Sequence, residues 1–264
     1  MIPQYDVALA DFTEGISAWR LWGRLGWQDI KRRYRRTVIG VFWTTLSLGV
    51  FISALGIVWA NLWNQDPKTY LPFLCAGMLT WSLVSTIVTD GALAFTSGES
   101  LIKQIRFPYT ILSCSVVWRN LVVFLHNLLI FVVVGLYARV PITMASLLVV
   151  PGLVIVSING IWIVTLLGLL CARYRDIQQL ITSLLQVALF VTPIFYTPEQ
   201  LGPQLRKIAD WNVIFHYVEV VRAPLLGRAP AAWTWTVVGI VTVLGWGLTL
   251  WTFSRFRRRV PYWL

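Results

Sequence analysis

A block of cations, Lys31, Arg32, Arg33, Arg35 and Arg36, stands directly before an apolar run that continues to about Trp63. Guanidinium and ammonium groups at the foot of an apolar segment suit anionic headgroups or a phosphorylated lipid, and they resist transfer across a bilayer. A second cation, Arg119, lies inside an apolar run, within Trp118-Arg119-Asn120 and ahead of His126 and Asn127. A charge at that depth faces protein or water, never lipid. Two roles fit it equally: lining a pathway or meeting an anionic substrate, or making a structural contact to a neighbouring helix or to helix-end carbonyls. A third group lies between two apolar runs, in SGESLIKQIRF at residues 97–107. Glu99 and Lys103 are four apart and can pair on one side of a helix. Leu101, Ile102 and Ile105 repeat at helical spacing on another, and Ser97 is placed to cap the helix. Such an element either docks in a groove on a partner, through Glu99, Ser100, Leu101, Lys103, Gln104 and Arg106, or is an ordinary solvated turn.

Enzyme chemistry is hard to find. There is no GxxxxGK[ST], so no phosphate-binding loop of that kind, and no HExxH or GxSxG. Asp90, Glu99, Asp176, Asp210 and Glu219 are scattered singly, and His126 and His216 stand alone. No catalytic residue is assigned. Cys75, Cys114 and Cys171 sit in or beside apolar runs without CxxC spacing, which fits small packing residues better than a metal site or disulfides. No metal ligand set is assigned.

The elements that must position these residues follow from composition. The 264 residues are 57% hydrophobic and 12% charged, with a mean hydropathy of +0.70. Soluble domains carry about 25% charged residues. Apolar runs close to the length of a bilayer crossing predict an all-α, multi-pass membrane protein. Six spans are predicted, at 38–63, 70–94, 108–137, 145–171, 177–196 and 233–253. Residues 1–37 form a cytoplasmic N-terminus, and 197–230 an external segment rich in proline. The N-terminus is polar and mildly acidic, with no cleavable signal peptide visible.

The net charge of +11 does not point to nucleic acid, because the cations occur in short blocks between apolar runs. They orient the chain instead. With both termini cytoplasmic, the outer loops hold only Lys68, Arg139, Arg206, Lys207, Arg222 and Arg228. Every other cation except Arg119 falls inside, as the positive-inside rule requires.

Residues 18–31 form an amphipathic pattern. Trp19, Trp22, Trp27 and Ile30 share one arc, and Arg20, Arg24, Gln28 and Lys31 the other. This predicts a helix in the headgroup plane, with a helix packed on its neighbours as the alternative. Aromatic residues crowd the span ends, as in an interfacial belt. A minority, Trp81 and Tyr196 among them, are candidates to face a pathway, where aromatic rings would stack on the C–H faces of sugars.

Taken together, RYRRTVIGVFW before the first span, IKQIRFP after the second, ARYRDIQQL between the fourth and fifth, and TPIFY closing the fifth resemble the ABC-2 type permeases. Within these the chain is similar to the subfamily exporting O-antigen, capsular polysaccharide or teichoic acid. The resemblance implies a homodimer in the bacterial inner membrane, served by two separately encoded ATPase subunits. ATP and Mg would belong to those subunits, with no cofactor in this chain. It implies an interface helix at 19–31, a coupling helix at 97–107 and short re-entrant helices within 198–230. The substrate implied is a glycan on undecaprenyl diphosphate, with Arg32, Arg33, Arg35 and Arg36 placed to meet the diphosphate. Competing readings are a small-drug or lipid permease, a membrane-embedded glycan transferase, which would need an acidic cluster, and a passive scaffold.

Overall fold

Inside a bilayer every backbone N–H and C=O must find its partner within the chain, so long apolar runs close into helices. The computed structural model describes residues 5–35, 39–40, 42–197 and 210–264, and the regular structure among them is helical throughout. Two helices precede the first apolar run: α1, Tyr5–Ser17, and α2, Trp19–Arg33. Next come α3, Phe42–Leu62, and α4, Pro67–Ala92. Two short pieces, α5 at Ala94–Ser97 and α6 at Glu99–Gln104, lead to the long α7, Thr110–Ala138. A 3-10 turn at Met144–Leu148 runs into α8, Val149–Arg173, and α9 covers Ile177–Val191. The chain closes with α10, Val213–Leu225, α11, Ala232–Phe256, and a last turn α12, Val260–Trp263.

Five of these segments are long and apolar enough to cross a membrane: α3, α4, α7, Met144–Arg173 and Ala232–Trp263. Helix α9 has 15 residues, which gives about 22 Å of rise against a hydrocarbon core of about 30 Å. It ends at Val191, before Pro193, short of the 196 expected. The amphipathic stretch is helical to Arg33, slightly beyond its expected end.

Helix α4 is the core, with α7 and α8 packed along it. Asp66 caps it, accepting from the Lys68 backbone N–H at 3.0 Å, with Pro67 in the first turn where no N–H is needed. Lipid-facing apolar surface gives helices little reason to associate, so polar side chains pin them. Ser113 and Thr165 hydroxyls join α7 to α8 at 2.8 Å. Thr45 donates to Asn127 across α3 and α7 at 2.9 Å. The Asn159 carbonyl oxygen accepts from Tyr217 on α10 at 2.6 Å and from Trp162 at 2.8 Å, while its amide donates to Thr242 on α11 at 2.8 Å.

Helix α1 is packed on the bundle. Asp11 on α1 is buried and accepts from the backbone N–H groups of Tyr109 and Thr110 at 3.1 and 3.0 Å. It caps α7 from another helix, where a carboxylate complements the dipole. Arg257, just past α11, reaches the same carboxylate at 2.6 Å. This pair brings α1 and the C-terminal tail to one end of the bundle.

Candidate functional site at the cationic end of the bundle

Helix α2 lies across α7, and glycine permits the approach. A Cβ at Gly26 would stand 2.9 Å from the Ser115 carbonyl oxygen. Gly26 and Ile30 are buried, whereas Trp19 and Trp27 are 61% and 46% exposed. The helix is therefore packed on its neighbours through Gly26 and Ile30, with Trp19 and Trp27 directed outward.

The approach delivers Asp29 to Arg119. The guanidinium donates to Asp29 at 2.8 Å and to Asp90, near the end of α4, at 2.9 Å. Asn120 adds a bond to the same Asp90 oxygen at 3.1 Å, and Arg33 reaches the other at 3.4 Å. Arg32 pairs with Asp29 at 2.5 Å. The Arg119 side chain is 12% exposed, and its Nε has no partner. Two carboxylates from two helices offset the cost of desolvating it, so the arginine ties α2, α4 and α7 together. Beside it opens a cavity of about 330 Å³, lined by Asp29, Arg32, Arg33, Asp90, Leu101 and Arg119 among others. Of the predicted cation block, Arg32 and Arg33 form the rim in the last turn of α2 and stay largely exposed. Arg35 is exposed beyond it, and Arg36 lies outside the described residues.

The segment after α4 borders the same cavity through Ser97, Gly98 and Leu101. The expected single helix over 97–107 is two pieces broken at Gly98, with Ile105 already extended. Ser97 is not its N-cap: it closes the preceding turn, donating to Leu93 at 2.8 Å, and Gly98 takes the capping position. Lys103 pairs with Glu99 at 2.6 Å as the spacing predicts. That bond holds the Glu99 carboxyl below the ordinary carboxylate range, with Arg175 contributing. Ile102 is buried and Leu101 half-buried, leaving Ser100, Lys103, Gln104, Ile105 and Arg106 exposed. The terminal helix α12 touches α6, and Arg173 lies over the Trp263 ring at 5.4 Å.

The pathway aromatics are committed elsewhere in the single chain. Trp81 is buried within α4 packing. The Tyr196 hydroxyl donates to Phe190 and Val191 at 3.0 and 3.1 Å, closing the end of α9. Around that turn sits a residue which the sequence placed in an outer loop. Arg222 on α10 is 1% exposed, pairs with Glu219 at 2.6 Å, donates to the Pro193 carbonyl at 2.7 Å and lies over Phe73 at 4.4 Å. Tyr70 donates to the Phe195 carbonyl at 2.7 Å in the same region. The part of the proposed re-entrant segment at 198–209, with Arg206 and Lys207, lies outside the described residues. Among those described, no group of three or more His, Cys, Asp or Glu could hold a metal.

A helical membrane bundle with a charged junction under a short exposed helix, and no nucleotide-binding motif of its own, is the build of a transporter's membrane subunit. The profile of the ABC-2 type transporter family matches residues 20–226, and the chain belongs to that family. It is similar to the O-antigen export system permease protein RfbA of Myxococcus xanthus, 29% identical over 64% of this chain and 65% of that protein. Two RfbA proteins of Klebsiella pneumoniae are 21% and 22% identical, over 70% of this chain and 72% of theirs. The chain thus spans about two thirds of the length of the relatives it matches.

Proposed function

We propose that this chain is the membrane subunit of an ATP-driven exporter of lipid-linked polysaccharide in a bacterial inner membrane. The observation that carries the reading is the family match over 20–226, joined to O-antigen export permeases as relatives. In this reading the chain works as a homodimer with two separate ATPase subunits, which supply ATP and Mg chemistry. The ATPases dock on the exposed face of α6, at Ser100, Lys103, Gln104 and Arg106.

The Asp11–Arg257 pair supports a six-span topology in this reading. Termini that meet at one end require an even number of crossings. The five long spans therefore need α9 as a sixth, with α10 and the flanking residues forming the outer segment. The cation block then sets both termini in the cytoplasm.

The mechanism runs from the junction outward. Movement of α6 on nucleotide binding presses on the cavity that it shares with Asp29, Asp90 and Arg119. Since Arg119 grips all three elements, α2 and α7 shift with α4 as rigid bodies. The exposed guanidiniums of Arg32, Arg33 and Arg35 meet the lipid diphosphate at the membrane surface. The glycan then passes between dimer halves whose walls lack charges to trap it.

The test is purification of the chain with its ATPase partner, followed by nucleotide hydrolysis with undecaprenyl-diphosphate-linked glycan added. Stimulation by the glycan, abolished when Lys103 and Arg106 are both changed to Glu, is the expected result. Glycan modification by the chain alone, without nucleotide, would overturn the reading in favour of a transferase.

A further inference from the structure

At the end of the bundle opposite the Asp11–Arg257 pair lies a second cavity, of about 430 Å³. Ligand pockets run from about 300 to 1,000 Å³. Its rim carries three cations from three separate elements: Lys68 in the first turn of α4, Arg139 at the end of α7, and Arg228 after α10. Apolar residues, Pro72, Phe73 and Leu226 among them, line it together with the polar Gln65, Thr69 and Tyr70. None of the three cationic side chains has an ion pair among the described residues. The nearest acid in sequence, Asp66, uses its carboxylate on the Lys68 backbone N–H.

Local structure accounts for these cations only in part. Lys68 stands at a helix N-terminus, where the dipole disfavours positive charge. Arg139 sits at φ 55°, ψ 45°, a left-handed position that usually falls to Gly or Asn. The α7 dipole favours a cation there, yet offers nothing to Lys68 or Arg228. Three cations from three elements, two of them at positions that local backbone or dipole does not favour, beside apolar lining residues, match a ligand with an anionic head and an apolar stem.

We propose that this cavity binds the phosphate of a lipid at the outer face of the membrane. Lys68, Arg139 and Arg228 take the phosphate oxygens by charge-assisted hydrogen bonds, and the apolar side chains of the lining take the first carbons of the chain. The phosphate belongs either to an anionic phospholipid or to a polyprenyl carrier. The outer placement rests on the topology given under the proposed function; the cavity and its chemistry do not.

The experiment is native mass spectrometry of the full chain in non-ionic detergent, titrated with phosphatidylglycerol, undecaprenyl phosphate or zwitterionic phosphatidylcholine. The native chain binds at least one of the two anionic lipids well above phosphatidylcholine. The triple variant Lys68→Gln/Arg139→Asn/Arg228→Gln weakens that binding by about tenfold or more. Asn is chosen because it tolerates the left-handed backbone. Tighter binding of undecaprenyl phosphate assigns the seat to the carrier, and equal binding assigns it to lipid phosphate in general. If the triple variant does not fold, Lys68→Gln and Arg228→Gln are each tested alone and lose about threefold. Variants that bind like the native chain, or a native chain that does not distinguish anionic from zwitterionic lipid, overturn the proposal. A cysteine placed at Gln65 and labelled only from the cytoplasm would overturn the topology instead, since the lipid titration is read without a membrane.

Discussion

Arg119 and Arg222 are both guanidiniums withdrawn from water by helices, yet they are held in opposite ways. Arg222 is locked at every contact: Glu219 three residues back, a backbone carbonyl, and an aromatic face. It has nowhere to go, and it fastens the turn after α9 to α10. Arg119 is held by carboxylates from two other helices, keeps one nitrogen without a partner, and borders a cavity. The first arrangement fixes a shape. The second joins three bodies while leaving room for them to move.

The contrast is most exposed at Arg222. Arg222→Met strands Glu219 in a largely buried site and should cost about 3–5 kcal/mol, read as a loss of thermal stability in detergent. Lysine there forfeits the fork geometry and should recover only part of it. A methionine variant as stable as the native chain would mean that Arg222 is no strut. Arg119→Met should cost less, about 1–3 kcal/mol, because Asp29 and Asp90 remain within reach of Arg32, Arg33 and solvent. Its larger effect should be release of α2, seen as faster tryptic cleavage after Arg33 and Arg35. Adding Asp90→Asn should cause much less further loss than it causes alone, since the two residues share one contact; strict additivity would dissolve the junction.

Smaller effects sharpen the same distinction. Tyr70→Phe removes one buried hydrogen bond to Phe195 at the rigid end and should lower stability by about 1 kcal/mol. The smallest change belongs to the exposed Glu99–Lys103 pair. The folded Glu99 carboxyl titrates below its unfolded value. Its contribution is therefore complete above the ordinary carboxylate range and fades as pH falls through the lowered folded value. If an ATPase docks on α6 as proposed, that docking should be flat from neutral pH down to that range and weaken only below it. Glu99→Gln should abolish this acid dependence, as measured by co-purification across pH.

The sequence exposed what a lone residue can reveal and hid what a pair requires. Arg119 stood out because a charge in an apolar run is costly wherever it lies. Its partners did not, since Asp29 and Asp90 are separated from it by 90 and 29 residues and carry no mark of facing it. Arg222 falls in a stretch that composition marks as polar and rich in proline, and nothing there signals that its side chain is buried against Pro193 and Phe73. Only the packing shows that helix to be buried. Asp11 was passed over as part of a polar tail, although a Tyr-Thr pair opening a span, 98 residues on, supplies the N–H groups that it caps. The helical pairing of Glu99 and Lys103 was legible, being purely local. The break at Gly98 was not, because Ser97 carries a good capping side chain whose hydroxyl turns back to its own helix. Helix α9 shows the limit of apolar length as a guide: the run continues to Tyr196, but Pro193 ends the helix.

The ion pair between Asp11 and Arg257 sets α1 beside the segment that follows α11. If the proposed dimer holds, two copies joined in one reading frame through these neighbouring segments would let a lesion be placed in one half alone. Whether a single intact Arg119 suffices for both halves is then a question that genetics can answer directly.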